Sequence, residues 1–134
     1  MSAPLWTDMM RRWQAPPVMV LLVEDDPLVR EVMTEMLADR GHRVIACRDG
    51  DAFLAALPEA DETVVLLTDV LLPGRSGRAL ADEFRRRHPG RPILFATGLP
   101  EDRLPPLRPD ETLLLKPFRP DQMFAALDRA TAAS

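Results

Sequence analysis

The sequence is poor in several residues that mark particular protein classes. It has one cysteine, Cys47, no tyrosine and two histidines. A single cysteine excludes an intramolecular disulfide framework and a cysteine-based metal cluster, and it fits a reducing compartment. No apolar stretch approaches the roughly 20 residues that a membrane-spanning helix needs. Because the N-terminus also lacks a signal-peptide pattern, we expect a cytoplasmic protein.

The charge balance limits the function further. The 134 residues carry a net charge of -4, with 28% charged and 46% hydrophobic residues. This composition is typical of one globular domain, and an acidic chain gives no reason to expect nucleic-acid binding. Lys116 is the only lysine beside 16 arginines. This exception suggests a specific requirement for an ammonium group at that position.

Five short apolar runs predict a parallel β-sheet. They are residues 18–23, 44–47, 64–67, 93–96 and 113–115, and they are continuous rather than alternating. Continuous apolar strands are typical of a sheet that is covered on both faces. Amphipathic helical patterns separate the runs. The sequence therefore predicts an open, doubly wound α/β fold with helices on both faces of five parallel strands.

The helix signals are clear after the first strand and weak after the fourth. Asp26 is a suitable N-cap, Pro27 suits the first helical position, and Gly41 ends the helix. The segment between strands four and five, GLPEDRLPPLRPDET, holds four prolines. We therefore expect a fourth helix that is short or distorted. The basic run at residues 85–88 is interpreted as a solvated helix face.

Residues suited to binding a ligand stand at the ends of four of the predicted strands. Those at the ends of strands one, three, four and five are Glu24, Asp25, Asp26, Asp69, Thr97, Gly98 and Lys116. In a parallel sheet these ends meet at one edge, where ligands bind. Two carboxylates about 4 Å apart repel by roughly 4 kcal/mol at an effective dielectric near 20. Because Mg²⁺ would offset this repulsion, we expect a magnesium site there, with Asp26 reserved for capping the helix.

Four motifs, in this order, carry a resemblance to a known family. The strings VEDDP, LLTDVLLPGRSG, ILFATG and LLKPF resemble those of the receiver domain of two-component response regulators, over residues 18–131. The resemblance implies a flavodoxin-like sheet with strand order 2-1-3-4-5. It also implies a receiver domain at residues 18–134 after an extension at residues 1–17. FATG is similar to the string of a group of single-domain receivers, and it also occurs in receivers attached to hybrid kinases.

The same resemblance implies a function. A histidine kinase or a phosphotransfer protein would donate a phosphoryl group to Asp69, and the protein would signal through a downstream protein partner rather than act as an enzyme. We expect no DNA-binding output domain. The implied site consists of the Mg²⁺ ligands Glu24, Asp25, Asp69 and the backbone carbonyl of Leu71, and of the phosphoryl-binding residues Thr97, Gly98 and Lys116.

Two features depart from the family pattern. Receivers usually place an aromatic residue three positions before the lysine, and Leu113 stands there in this chain. The proline-rich segment before the fifth strand is also shorter than usual. Both departures imply a remodelled output face.

Two other functions remain open. One is a small Mg²⁺-dependent aspartyl-phosphate phosphatase that uses Asp69 as its nucleophile. Haloacid-dehalogenase-type enzymes place a second acid two positions later, however, and that position is Leu71. The other is a phosphorylation-independent adaptor with a relic site. The complete set of acids, threonine and lysine argues against it.

The N-terminal extension carries an apolar stripe of its own. The members of this stripe recur with helical spacing: Leu5, Trp6, Met9, Met10 and Trp13. A helix of about ten residues is marginal alone in water, so we expect the stripe to pack on another surface. The main hypothesis is a homodimer through residues 4–15, because Trp and Met are favoured at interfaces. Packing on its own domain, disorder and membrane binding are the alternatives.

Overall fold

Strands and helices alternate along the chain. The computed structural model describes residues 16–104 and 106–132. The elements are, in chain order, β1 (Met19–Val23), α1 (Pro27–Asp39), β2 (Arg43–Cys47), α2 (Gly50–Ala56), β3 (Val65–Asp69), α3 (Gly77–Arg87), β4 (Ile93–Thr97), β5 (Glu111–Leu115) and α4 (Pro120–Ala132). All paired strands are parallel, and their order is β2-β1-β3-β4-β5. The predicted flavodoxin-like α/β fold is confirmed.

Each face of the sheet has its own apolar core. Leu21 in β1 belongs to a cluster that includes Phe84 of α3. The next residue, Leu22, belongs to a second cluster with Met33 of α1 and Met123 of α4. Successive residues of a strand point to opposite faces. A strand that is covered on both faces is therefore apolar at every position, which explains the continuous runs in the sequence.

β2 differs from the expectation of strands buried on both faces. Arg43 and Ala46 are exposed, Val44 and Ile45 are half-buried, and only Cys47 is buried. The reason is its position, because β2 is an edge strand that pairs only with β1. Apolar composition alone does not distinguish an edge strand from a central one.

The predicted limits of the first helix are confirmed. The Asp26 carboxylate accepts hydrogen bonds from the amides of Leu28 and Val29, at 2.9 and 3.1 Å. Gly41 follows the helix with a φ of +88°, a conformation that favours glycine. Asp26 therefore satisfies the first amides of α1, as a capping residue does.

Among the described residues between β4 and β5, the one helical element is a 3₁₀ turn, Glu101–Arg103, which confirms the prediction of a short or distorted helix. Charges fix the end of this connection. The Glu111 side chain is fully inaccessible and accepts hydrogen bonds from the guanidinium groups of Arg78 and Arg85. It also accepts a hydrogen bond of 2.8 Å from the Arg108 amide. The proline-rich segment is thereby attached to α3.

Arg85 corrects the interpretation of residues 85–88 as a solvated helix face. Its guanidinium lies 2.9 Å from Glu111 and 3.2 Å from Asp110, and only 26% of the side chain is exposed. The two arginines that follow it are more exposed and pair with an acid on their own helix. A run of identical residues in the sequence cannot show which member faces a buried carboxylate.

Candidate functional site

One cleft at the carboxyl edge of the sheet collects every residue predicted for the site. The residues that line it include Glu24, Asp25, Asp69, Leu71, Thr97, Gly98 and Lys116. They lie at or just beyond the ends of β1, β3, β4 and β5. Glu24 and Lys116 are 92 positions apart in the chain, yet their side chains are in contact. The parallel order of the strands brings these residues together.

Two buried carboxylates share one ammonium at the floor of the cleft. Glu24 is 1% exposed and Asp69 is 6% exposed. Lys116 Nζ lies 2.7 Å from Asp69 Oδ1 and also contacts Glu24 Oε1. A buried carboxylate needs a counter-charge and hydrogen bonds to remain ionised. Lys116 supplies a counter-charge and a hydrogen bond to both acids. The pKa of Glu24 is lowered, whereas the pKa of Asp69 stays raised because burial and Glu24 outweigh Lys116.

The ionisation of these three groups is linked. Burial raises the pKa of Asp69, the neighbouring Glu24 raises it further, and Lys116 opposes both effects. For Glu24, burial alone would raise the pKa, but hydrogen bonds with Asp69 and Lys116 outweigh burial and lower it. Burial would lower the pKa of Lys116, but the two carboxylates raise it. Lys116 therefore remains a cation at neutral pH.

The acidic residues fit a divalent cation. Glu24, Asp25 and Asp69 each offer a carboxylate oxygen, and these oxygens lie within 4.8 Å of one another. Mg²⁺ prefers oxygen ligands at about 2.0–2.1 Å in an octahedral arrangement and usually keeps several waters. Asp25 is exposed at the mouth of the cleft, whereas the other two acids are buried. The donor set and its access to solvent therefore suit the predicted Mg²⁺.

Hydrogen bonds fix the loops that carry these side chains. The Glu24 amide donates to the Cys47 carbonyl at 3.0 Å. The guanidinium of Arg30 donates to the Glu24 carbonyl at 2.9 Å. Thr97 Oγ1 accepts a hydrogen bond of 3.1 Å from the Leu99 amide. Thr97 lines the cleft, and its hydroxyl also has a hydrogen that it can donate.

Gly77 is a positioning residue that sequence reasoning missed. A Cβ atom at this position would lie only 2.0 Å from the carbonyl oxygen of Asp69 and 3.1 Å from Val70 Cα. The Gly77 amide donates to the Val70 carbonyl at 2.9 Å. The start of α3 can therefore contact the backbone of the acceptor strand only if residue 77 has no side chain. The available signal was a glycine at the start of a helix, where most residues are better helix formers.

Gly98 is different, because neither its conformation nor the surrounding protein requires glycine. Its φ lies outside the left-handed region, and a Cβ atom there would meet only Lys116 Cβ, at 4.0 Å. The space beside Gly98 belongs to the cleft. The role predicted for it, close approach of a phosphoryl group to the backbone, remains a prediction.

Comparison with known proteins places the chain in a family. The model of the response regulator receiver domain matches residues 20–128. The chain therefore belongs to the response regulator receiver domain family. Receiver domains interact with histidine kinases or phosphotransfer proteins, and they generally bind Mg²⁺ at an acidic pocket such as the one formed here by Glu24, Asp25 and Asp69.

Individual relatives agree with this assignment. The transcriptional regulatory protein TcrA of Mycobacterium tuberculosis is 35% identical over 113 residues, which cover 82% of this chain and 44% of TcrA. The receiver domain of the hybrid histidine kinase CckA is 27% identical, with a TM-score of 0.71, covering 84% of this chain and 97% of that structure. The response regulator PhyR from Brucella abortus is 29% identical, with a TM-score of 0.76, covering 94% of this chain and 52% of PhyR. This chain thus spans less than half of TcrA.

Proposed function

We propose that this chain accepts a phosphoryl group on Asp69 from the phosphohistidine of a histidine kinase or a phosphotransfer protein. One observation carries the proposal: the Asp69 carboxylate is buried against Lys116 and lies beside two further acids. A capping aspartate such as Asp26 is exposed and accepts backbone amides instead. The environment of Asp69 suits a nucleophile whose reaction is assisted by nearby cations.

In the proposed transfer, a carboxylate oxygen of Asp69 attacks the phosphorus of the phosphohistidine. The phosphorus–nitrogen bond breaks, the imidazole nitrogen keeps the electron pair, and an acyl phosphate forms on Asp69. Bound Mg²⁺, held by Glu24, Asp25, Asp69 and the Leu71 carbonyl, would neutralise charge on the phosphoryl oxygens. Lys116 is already 2.7 Å from Asp69 Oδ1 and can pair with one of these oxygens once the acyl phosphate has formed.

Thr97 would couple the phosphorylation of Asp69 to a change in the rest of the domain. Its hydroxyl is at the cleft and can donate to a phosphoryl oxygen. Receivers usually have an aromatic residue three positions before the lysine, and this chain has Leu113 there. Leu113 is half-buried and packs beside Phe95. The proposed output therefore depends on repacking an aliphatic side chain and on contacts with a downstream protein, rather than on the swing of an aromatic ring.

The proposal extends to the organisation of the protein. Residues 1–17 would form an extension before a receiver domain at residues 18–134, in the cytoplasm and without nucleic-acid binding. Among the described residues, no helix has the length and apolar character needed to cross a membrane. The homodimer predicted through residues 4–15 stays a prediction, because these residues lie outside the described part of the chain.

Intact-protein mass spectrometry after incubation with acetyl phosphate and MgCl₂ tests the phosphoacceptor role. We expect the parent to gain one phosphoryl group and Asp69→Asn to gain none. Asp49→Asn is the matched control, because Asp49 follows β2 and caps α2 by accepting the Ala52 amide at 2.8 Å. It should be phosphorylated like the parent. Turnover of acetyl phosphate without a lasting adduct would instead identify a phosphatase, and no reaction would identify an adaptor.

A further inference from the structure

An exposed apolar surface lies next to the acidic cleft. The residues that line it are Leu28, Val29, Val32 and Met36 of α1 together with Lys116, Pro117 and Phe118 of the loop after β5. We call it the α1 surface. Leu28 is 69% exposed and Val32 is 41% exposed. Leu28, Val32 and Met36 are spaced four residues apart, so they form one stripe along the helix. Exposed apolar stripes of this kind mark binding sites.

The N-terminal extension joins the described part of the chain close to this surface. Pro17 lies beside Gly41, where a Cβ atom would be 3.9 Å from Pro17 Cγ. The Val18 amide donates to His42 Nδ1 at 3.0 Å, and the Arg43 amide donates to the Val18 carbonyl at 3.1 Å. The chain therefore leaves the described fold at the loop that follows α1. Met36 lies only a few residues before that loop.

The lengths of the segment and of the stripe agree. The predicted helix at residues 5–14 would be about 15 Å long, and the stripe from Leu28 to Met36 spans about 12 Å. Three residues, 15–17, remain as a connection of up to about 10 Å. A helix that returns from Pro17 along α1 would thus cover the stripe, with its own N-terminus near Phe118.

We propose that residues 4–15 dock on the α1 surface of their own chain, with Leu5, Trp6, Met9, Met10 and Trp13 against the stripe. Of the three surfaces considered for this segment, a second subunit, a membrane and the chain's own domain, the own domain is the nearest. Docking on a tethered site also has a high effective concentration, whereas a second subunit must be recruited from solution.

Tryptophan fluorescence of the full-length protein tests this docking without any phosphorylation. Trp6 and Trp13 are the only tryptophans in the chain, so the signal comes from the segment alone. We expect blue-shifted emission that does not change with protein concentration. In Val32→Gln the emission should shift to the red, and the rate constant for quenching by acrylamide should rise several-fold. Leu107→Gln is the matched control, because Leu107 is also 41% exposed but lies in the segment before β5.

Three results would overturn the proposal. The first is emission of solvent-exposed tryptophan in the parent. The second is an equal change of emission and quenching in Val32→Gln and Leu107→Gln. Leu28→Gln tests the same surface as Val32→Gln and should behave like it. The third is a combination of two observations: a blue shift that disappears on dilution, and the mass of a dimer in light scattering before dilution. This combination would place the segment on a second copy of the chain.

Discussion

Lys116 Nζ bridges the two buried carboxylates of the cleft, at 2.7 Å from Asp69 Oδ1 and in contact with Glu24 Oε1. The ammonium and a bound Mg²⁺ would therefore offset the same negative charge. In Lys116→Met we expect the free energy of unfolding without Mg²⁺ to fall by about 2 kcal/mol, because charged hydrogen bonds are lost. MgCl₂ should then raise the melting temperature of this variant more than that of the parent.

Thermal unfolding followed by circular dichroism, with and without MgCl₂, measures both effects. Arg119→Met is the control, since Arg119 is an exposed basic residue that pairs with exposed Asp121. It should respond to MgCl₂ like the parent. Equal Mg²⁺ responses in Lys116→Met and the parent would show that the ion and the ammonium act on different groups.

The contact between Gly77 and the Asp69 carbonyl predicts a contrast between two glycines. Alanine is a better helix former than glycine by about 1 kcal/mol, but a Cβ at position 77 would collide with the backbone oxygen. Gly77→Ala should therefore lower the free energy of unfolding by about 2 kcal/mol or more. Gly98→Ala should be neutral or stabilising by about 0.5 kcal/mol. Urea unfolding of both variants measures the difference, and similar midpoints would contradict it.

Leu71 and Leu99 contribute apolar side chains to the cleft, which predicts a long-lived phospho-Asp69. Both residues line the cleft, two positions after the acceptor and two after Thr97. An amide side chain at position 99 could orient an attacking water. We expect Leu99→Asn to lose the phosphoryl group roughly tenfold faster, which corresponds to a barrier lower by about 1.4 kcal/mol.

The time course of intact mass after removal of acetyl phosphate gives this rate. Leu99 also packs against the core, so Leu99→Ala is needed as a control that removes packing without adding a polar group. A rate in Leu99→Asn that is unchanged, or that only matches Leu99→Ala, would be evidence against an oriented water.

The hydrogen bond from the Val18 amide to His42 Nδ1 predicts a pH-dependent stability. The nitrogen can accept this bond only when it is unprotonated, and burial lowers the pKa of His42 below its usual value of 6.5. The unfolded chain therefore binds a proton at a higher pH than the folded chain does. The contribution of His42 is complete above pH 6.5 and is lost as the pH falls toward the folded pKa.

Urea unfolding between neutral and mildly acidic pH tests this difference. His42→Asn keeps an acceptor but does not titrate, so its stability should fall less steeply than that of the parent. His88→Asn controls for the loss of a histidine elsewhere. Parallel pH profiles of the parent and His42→Asn would exclude His42 as the titrating group.

Local patterns were sufficient for most of the fold and for gathering the cleft residues. The first helix could be delimited because Asp26, Pro27 and Gly41 act within a few residues of each end. The residues of the cleft could be grouped because parallel strands place their carboxyl ends at one edge of the sheet. These inferences need only the sequence neighbourhood of each residue and the general geometry of a parallel sheet.

The features that sequence reasoning missed depend on contacts in the folded chain that residue spacing does not reveal. The Arg85 side chain is mostly buried because it pairs with Glu111, 26 positions later in the chain. The backbone contact of Gly77 with β3 and the bond from Arg30 to the Glu24 carbonyl leave no periodic pattern. The exposure of β2 follows from its place at the edge of the sheet. Such features follow from the packed structure, which single residues and spacings do not encode.

The attachment of Glu111 to Arg78, Arg85 and the Arg108 amide also has a consequence for how this protein can vary. The prolines between β4 and β5 lack amide hydrogens, and this part of the chain can form few hydrogen bonds of its own. The end of this connection is held by one carboxylate, which binds the Arg108 amide and the arginines of a neighbouring helix. Insertions or substitutions between Pro100 and Leu107 should therefore be tolerated as long as this anchor is kept. Related chains could therefore bind different output partners through this segment without any change in the sheet.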